Sequence, residues 1–221
     1  YGVRSAMPVC RALELCPEAI LLPVNFCRYQ EVSAQVQRIW EHFALQIEPV
    51  SIDEAYLAVK AGTGMIKAEK IRNTVRKQLD LPLSIGVSSN KLLAKIACDL
   101  AKPDGLKSLW PEQVSNVLWP LPVRLLPGVG PKTEKKLADI GVKTVGDLAL
   151  APPEMLKPIF GSTVPVLLRY VRGLDDRELV TVRQAKSVSE ETTFPQDVVK
   201  REHVLGERCK RPDFTLNSDI K

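Results

Sequence analysis

The spacing of apolar residues changes several times along the chain, and each change marks an element. Ala6, Val9, Cys10 and Leu13 recur at helical spacing over residues 5–16, with Pro8 tolerable in a first turn. A short extended stretch follows at Ala19 to Pro23. Val32, Val36, Ile39, Trp40 and Phe43 form one apolar stripe, which predicts a helix over 29–43. Val50 to Val59 then alternates like a strand. Gly62-Thr63-Gly64 breaks the chain before Ile66, Ile71, Val75 and Leu79 predict an amphipathic helix ending near Leu79. Leu83 to Val87 is a second strand, Asn90 to Leu100 a helix, and Pro103-Asp104-Gly105 a turn into a short strand at Leu106 to Trp110. Strands alternating with helices point to an α/β or α+β layer domain up to about Trp110.

The texture changes after that. Residues 111–178 read as short helices divided by Pro and Gly, with no strand-like alternation, so a boundary is expected near Pro111. Residues 179–190 are polar and charged and lack a stripe, a linker signal. From Ser187 the tail starts like a strand and then loses its pattern. Arg208 to Lys221 is polar and poorly core-forming.

One strand carries an anomaly. Asp53 and Glu54 interrupt the run Val50, Ile52, Tyr56, Leu57, Val59. Neighbours on a strand point to opposite faces, so the pair cannot be one solvated face. Either one acid projects towards whatever covers the sheet, or the strand ends there at an open rim. Unpaired carboxylates are rarely placed so unless they bind a cation. An edge strand with one charge reaching solvent is the plain alternative.

Composition narrows the classes. The 221 residues are 45% apolar and 26% charged, ordinary values for a globular chain. No apolar run approaches the roughly 20 residues of a membrane span, and the first residues carry no signal-peptide core. The five cysteines form no CxxC pair, which suits a reducing cytoplasm and gives no zinc signature. Net charge is +5, with basic clusters at 67–77, 91–107, 132–143 and 183–211. Such clusters over several elements favour a polyanionic partner, although solvated helix faces account for the first of them.

Two basic segments carry candidate chemistry. In Leu126-Pro127-Gly128-Val129-Gly130-Pro131-Lys132 the glycines permit a tight turn directly before a helix. Free amides and the positive helix end then point at one spot, beside Lys132, Lys135 and Lys136. That arrangement binds a phosphate without reading bases; an ordinary αα-corner is the alternative. In Asn90 to Gly105, Lys91, Lys95 and Lys102 recur at helical spacing or just past the helix end. Lys102, held between helix and Pro103, could grip a phosphate as a point charge. A helix with a basic outer face would explain the same pattern.

Taken together these segments resemble the Y-family DNA polymerases, most closely the bacterial DNA polymerase IV branch. The resemblance rests on Tyr1-Gly2-Val3-Arg4-Ser5-Ala6-Met7-Pro8, on Ser51-Ile52-Asp53-Glu54-Ala55-Tyr56-Leu57, on Ile85-Gly86-Val87-Ser88 with the stretch from Asn90 to Gly105, and on the Leu126 to Gly130 hairpin. They stand in family order and cover residues 1 to about 195.

The resemblance implies an α+β fold: a palm with a ferredoxin-like mixed sheet, then a small all-α helix-hairpin-helix thumb. Residues 1–25 would end the fingers, 26–110 form an incomplete palm, 111–178 the thumb, 179–186 a linker and 187–221 an incomplete start of the little finger. It implies two-metal nucleotidyl transfer with Mg²⁺, joining a primer 3′-hydroxyl to an incoming deoxynucleoside triphosphate, in bypass of damaged DNA. Asp53 and Glu54 would be the metal-binding and catalytic carboxylates. Lys102 would contact the triphosphate. Gly128, Val129, Gly130, Lys132 and Lys135 would grip primer–template DNA. A cytoplasmic location is implied, with no membrane partner, and a sliding clamp is a possible partner of the full-length protein. The family's further metal-binding Asp, the aromatic beside it, and a Tyr and an Arg of the fingers have no counterpart here. The chain is therefore expected to be a piece truncated at both ends that extends no primer alone. The competing readings are a non-catalytic DNA-binding module, with Asp53 and Glu54 as relics, and a palm-type nucleotide cyclase.

Overall fold

The computed structural model describes residues 1–182; the tail expected to open a further domain lies outside them. Helices α1 (Val9–Leu15), α2 (Phe26–Glu41), α3 (Gly64–Leu79) and α4 (Lys91–Ala101) accompany strands β1 (Gln46–Pro49), β2 (Ala55–Ala58), β3 (Ile85–Val87) and β4 (Leu106–Ser108). Four short helices follow: α5 (Pro131–Asp139), α6 (Val145–Leu150), α7 (Pro153–Phe160) and α8 (Val164–Tyr170). Mixed helix and strand followed by an all-helical part is the α+β arrangement expected.

Local chemistry sets most boundaries. The Asn25 side chain accepts from the Arg28 amide, so α2 begins three residues earlier than its stripe suggests. Asn90 accepts from the Leu93 amide at the start of α4. The first helix is shorter than the pattern over 5–16, because Pro8 serves as its N-cap and it buries none of its residues.

The expected strand over 50–59 is corrected. β1 and β2 pair antiparallel, with Ile47 opposite Leu57 and Glu48 opposite Tyr56, and residues 50–54 form the turn between them. Val50 and Ser51 amides both donate to the Glu54 carbonyl, at 2.9 and 3.2 Å. The Ser51 hydroxyl accepts from the Asp53 and Glu54 amides, a serine turn that outcompetes an extended ladder. The acidic pair thus sits at an open rim.

The described strands form two separate ladders. The second is parallel, with Ile85 opposite Leu106, and α4 is its crossover. Gly86 makes that packing possible. A Cβ there would lie 2.0 Å from the Ala94 carbonyl oxygen of α4, so only glycine lets strand and helix touch backbone to backbone.

Ile39 and Trp40 of α2 and Ile71 and Val75 of α3 form one buried cluster, backed by Ile47, Leu57 and Ile85 from both ladders. A second, larger core starts on the inner side of α4 (Leu92, Leu93, Ile96, Ala97) and continues through Leu118, Leu137, Leu148 and Leu156 to Val171. α4 therefore carries strands on one side and the helical part on the other. After α8 the chain returns to the start of α4: Asn90 donates to the Gly173 carbonyl at 2.8 Å, and the buried Asp175 carboxylate accepts from the Leu92 amide at 3.0 Å. Among the described residues no helix is long and apolar enough to cross a membrane.

Candidate functional site

A groove with a cavity volume of about 210 Å³ opens between the facing edges of β2 and β3. Ala68 and Ile71 of α3 and Ala94 of α4 line it, and Asp53, Glu54 and Lys95 stand in its wall. The acidic turn therefore meets α4 across this groove.

The two acids are treated differently. Asp53 is exposed and accepts from the Ser51 hydroxyl. Glu54 is half-buried and paired with the Lys95 ammonium through Oε1. Lys95 also lies 3.9 Å from Asp99 Oδ1, and Lys102 holds that same oxygen at 2.8 Å. Glu54, Lys95, Asp99 and Lys102 thus form a row of alternating charge. Burial alone would lower the Lys95 ammonium. The hydrogen bond to Glu54 and the charges of Asp99 and Glu54 outweigh it and hold Lys95 above the ordinary lysine value. Lys102 is raised too, chiefly by its hydrogen bond to Asp99. Burial pushes up the Tyr56 hydroxyl and the Cys98 thiol beside the groove.

Lys102 is placed by the turn after α4. The Asp104 carboxylate receives Arg72 Nε at 3.0 Å and the Leu83 amide at 3.3 Å, and also pairs with Arg76. Both arginines belong to α3, so the segment carrying Lys102 is clamped to that helix. The Lys102 side chain remains exposed.

Lys91 departs from the expected basic outer face. It is buried, with Nζ 2.5 Å from Glu48 of β1, 3.1 Å from the Glu178 carbonyl oxygen and 5.2 Å from the centre of the Tyr56 ring. Its position at the first turn of α4 aims it at the hairpin, where a buried carboxylate requires a cation. Lys91 is structural. Lys95 pairs instead across the groove with Glu54, and Asp99 stands one helical turn further along α4.

The second candidate site is the turn into α5. Gly128 has φ +90, and Gly130 is the extended N-cap with Pro131 at the first helical position. Val129 is buried and its amide donates to the Leu126 carbonyl, so its side chain anchors the turn. Pro131 and Lys132 begin the helix, where amides have no intrahelical acceptor. Lys132, Lys135 and Lys136 are exposed. The helix ends at Gly141 (φ +83), whose amide donates to Ala138 while that of Val142 donates to Leu137, the paired bonds of a Schellman cap. Thr144 and Asp147 then cap α6 reciprocally. Two short helices with tight glycine turns form the hairpin.

Residues 1–99 match the impB/mucB/samB family, and residues 124–175 match the thumb domain of DNA polymerase-iota. DNA polymerase IV of Xanthomonas campestris pv. campestris is 45% identical over 203 residues, spanning 90% of this chain and 56% of that protein. The chain belongs to the Y family of DNA polymerases. DNA polymerase IV of Desulfatibacillum aliphaticivorans is 41% identical over 221 residues, 95% of this chain and 56% of its own length. The crystal structure of DinB from Sulfolobus solfataricus superposes with a TM-score of 0.76 at 29% identity, covering 81% of this chain and 55% of that one. A ternary complex of Dbh gives 0.73 at 29%, covering 81% and 56%. This Y-family chain spans a little over half the length of the relatives it matches.

Within the Y-family chain, Glu54 and Lys102 are linked at α4 through Lys95 and Asp99, while Asp53 stands in the same groove wall and bonds to Ser51. The hairpin residues Gly128 to Lys135 share no hydrogen bond or ion pair with them among the described residues.

Proposed function

We propose that this chain carries palm and thumb parts of a translesion DNA polymerase, acting on primer–template DNA and deoxynucleoside triphosphates. The observation that supports the reading is the row Glu54, Lys95, Asp99, Lys102, which runs from the groove walled by Asp53 and Glu54 to an exposed lysine. Asp53 and Glu54 suit Mg²⁺, which takes one or two protein carboxylates and completes its shell with water and substrate phosphate. Bound there, the ion would supply charge neutralisation for phosphoryl transfer. Lys102 would hold the triphosphate as a point charge. Gly128, Gly130, Lys132 and Lys135 would seat the DNA backbone against the α5 amides, with Val129 locking the turn from inside.

No cluster of three or more His, Cys, Asp or Glu suited to a metal occurs among the described residues. Two-metal transfer needs more carboxylate ligands than Asp53 and Glu54 provide, so primer extension is expected only when a further metal-binding carboxylate is supplied. The test is duplex-DNA binding and Mn²⁺ binding by the 221-residue chain. Asp53→Asn with Glu54→Gln should abolish the second and leave the first. Mn²⁺ binding unchanged by that pair would sink the assignment of the acids. Robust extension by the chain alone would sink the requirement for another carboxylate.

A further inference from the structure

Asp99 Oδ1 is shared by two ammonium groups. Lys102 sits 2.8 Å from it and Lys95 3.9 Å, while Lys95 makes its close contact to Glu54 Oε1. One carboxylate oxygen can hold either lysine at close range. Two ammonium groups at the same atom repel each other, so occupancy by Lys102 keeps Lys95 on Glu54. Lys102 is the freer cation, its side chain 55% exposed against 30% for Lys95.

We propose that Lys95 is a movable counter-ion. It neutralises Glu54 until an incoming triphosphate draws Lys102 away from Asp99; Asp99 then accepts Lys95, and Glu54 is released to hold a divalent cation.

This rests on the assignment of Glu54 and Lys102 made above and adds the coupling between them. Three facts support it. Lys95 and Asp99 lie at i and i+4 on α4, and Lys102 is the C-cap three residues past Asp99 and already paired with it, so the exchange needs side-chain rotations and no backbone movement. All four groups are between a quarter and a little over half exposed, so each exchange trades one solvated ion pair for another. A divalent cation on Glu54 would also meet Lys95 as a like charge, which Asp99 is placed to take. The lysine thus protects Glu54 from idle metal binding and ties the opening of the carboxylate to the arrival of phosphate. By linkage, whatever metal binding gains from the loss of Lys102, phosphate binding gains from metal.

The experiment uses the isotope-labelled 221-residue chain. NMR correlations between lysine Nζ and carboxylate carbons identify which acid holds each lysine. Lys95 should correlate with Glu54 in the unsubstituted chain, and with Asp99 after Lys102→Met or on addition of inorganic tripolyphosphate. Lys95 staying on Glu54 in both conditions overturns the proposal. A second arm measures Mn²⁺ affinity by electron paramagnetic resonance. Lys102→Met should tighten binding at least about fivefold and Asp99→Asn weaken it by a similar factor. Both effects should vanish in a Lys95→Met background. Effects that persist without Lys95, or that are absent with it, overturn the exchange. Mn²⁺ binding that survives Asp53→Asn with Glu54→Gln refutes the metal assignment instead, and the NMR arm then decides the lysine exchange independently.

Discussion

Glu48 and Tyr56 face each other across the β1–β2 hairpin, and the Lys91 ammonium reaches both. One buried cation therefore fixes the hairpin to the first turn of α4. Glu48 also accepts from the Val180 amide at 3.0 Å, so the segment leaving the helical part is tied to the same pair. The acidic turn sits at the end of a hairpin held from below.

Removing one member of that pair leaves the other charged and buried. Glu48→Ala and Lys91→Met should each lower the unfolding free energy by about 3 kcal/mol, and the double variant by less than the sum of the two. Urea unfolding followed by tryptophan fluorescence measures both quantities. Single losses below about 0.5 kcal/mol would show that the pair contributes little.

Three aspartates make the fold acid-sensitive. The hydrogen bond from Arg72 holds Asp104 below the ordinary carboxylate value, aided by the Leu83 amide, and the Thr144 and Lys143 amides do the same for Asp147. Burial would raise Asp175, but hydrogen bonds and charge from Arg177 outweigh it and leave it lowered. Each folded carboxylate binds its proton more weakly than the unfolded one. Their contribution is full above the unfolded value of 3.8 and is lost as pH falls through the lower folded values. Thermal midpoints should be nearly flat between about pH 7 and 5 and fall steeply below about pH 4. In Asp104→Asn the acid fall should be shallower.

Gly86 is an early point of failure for β3. Gly86→Ala forces a methyl group onto the Ala94 carbonyl oxygen and Cys98 amide of α4, which backbone cannot yield cheaply. A loss of about 3 kcal/mol or more is expected. Hydrogen exchange should show α4 amides losing protection first. Wild-type stability in this variant would contradict the packing described.

The thumb hairpin should behave as a backbone reader. Lys132→Gln and Lys135→Gln should weaken duplex binding equally across sequences and flatten the salt dependence by about one unit of slope per lysine. Fluorescence anisotropy over a salt series decides it. A sequence-selective loss would point to contacts with base edges.

Much of the fold was legible in the residues alone. The stripes of α2 and α3 and the Gly128 turn are set by neighbours within a few positions, where spacing and propensity act directly. The strand over 50–59 was misread because alternation ignores the Ser51 hydroxyl. One side chain held two amides and closed a turn instead. Lys91, Lys95 and Lys102 looked alike in sequence, yet one is buried, one spans two acids and one stands exposed.

Asp53 and Glu54, Lys102 and the glycine hairpin were each recognisable as segments, and their order named the family. What distinguishes the two acids was decided only by tertiary structure. Glu54 meets Lys95 across 41 positions, and Glu48 meets Lys91 across 43. Local periodicity records which face a residue occupies on its own element. Which charge it meets there depends on how α4 lies against the hairpin, and that is set by the cores on both sides of the helix.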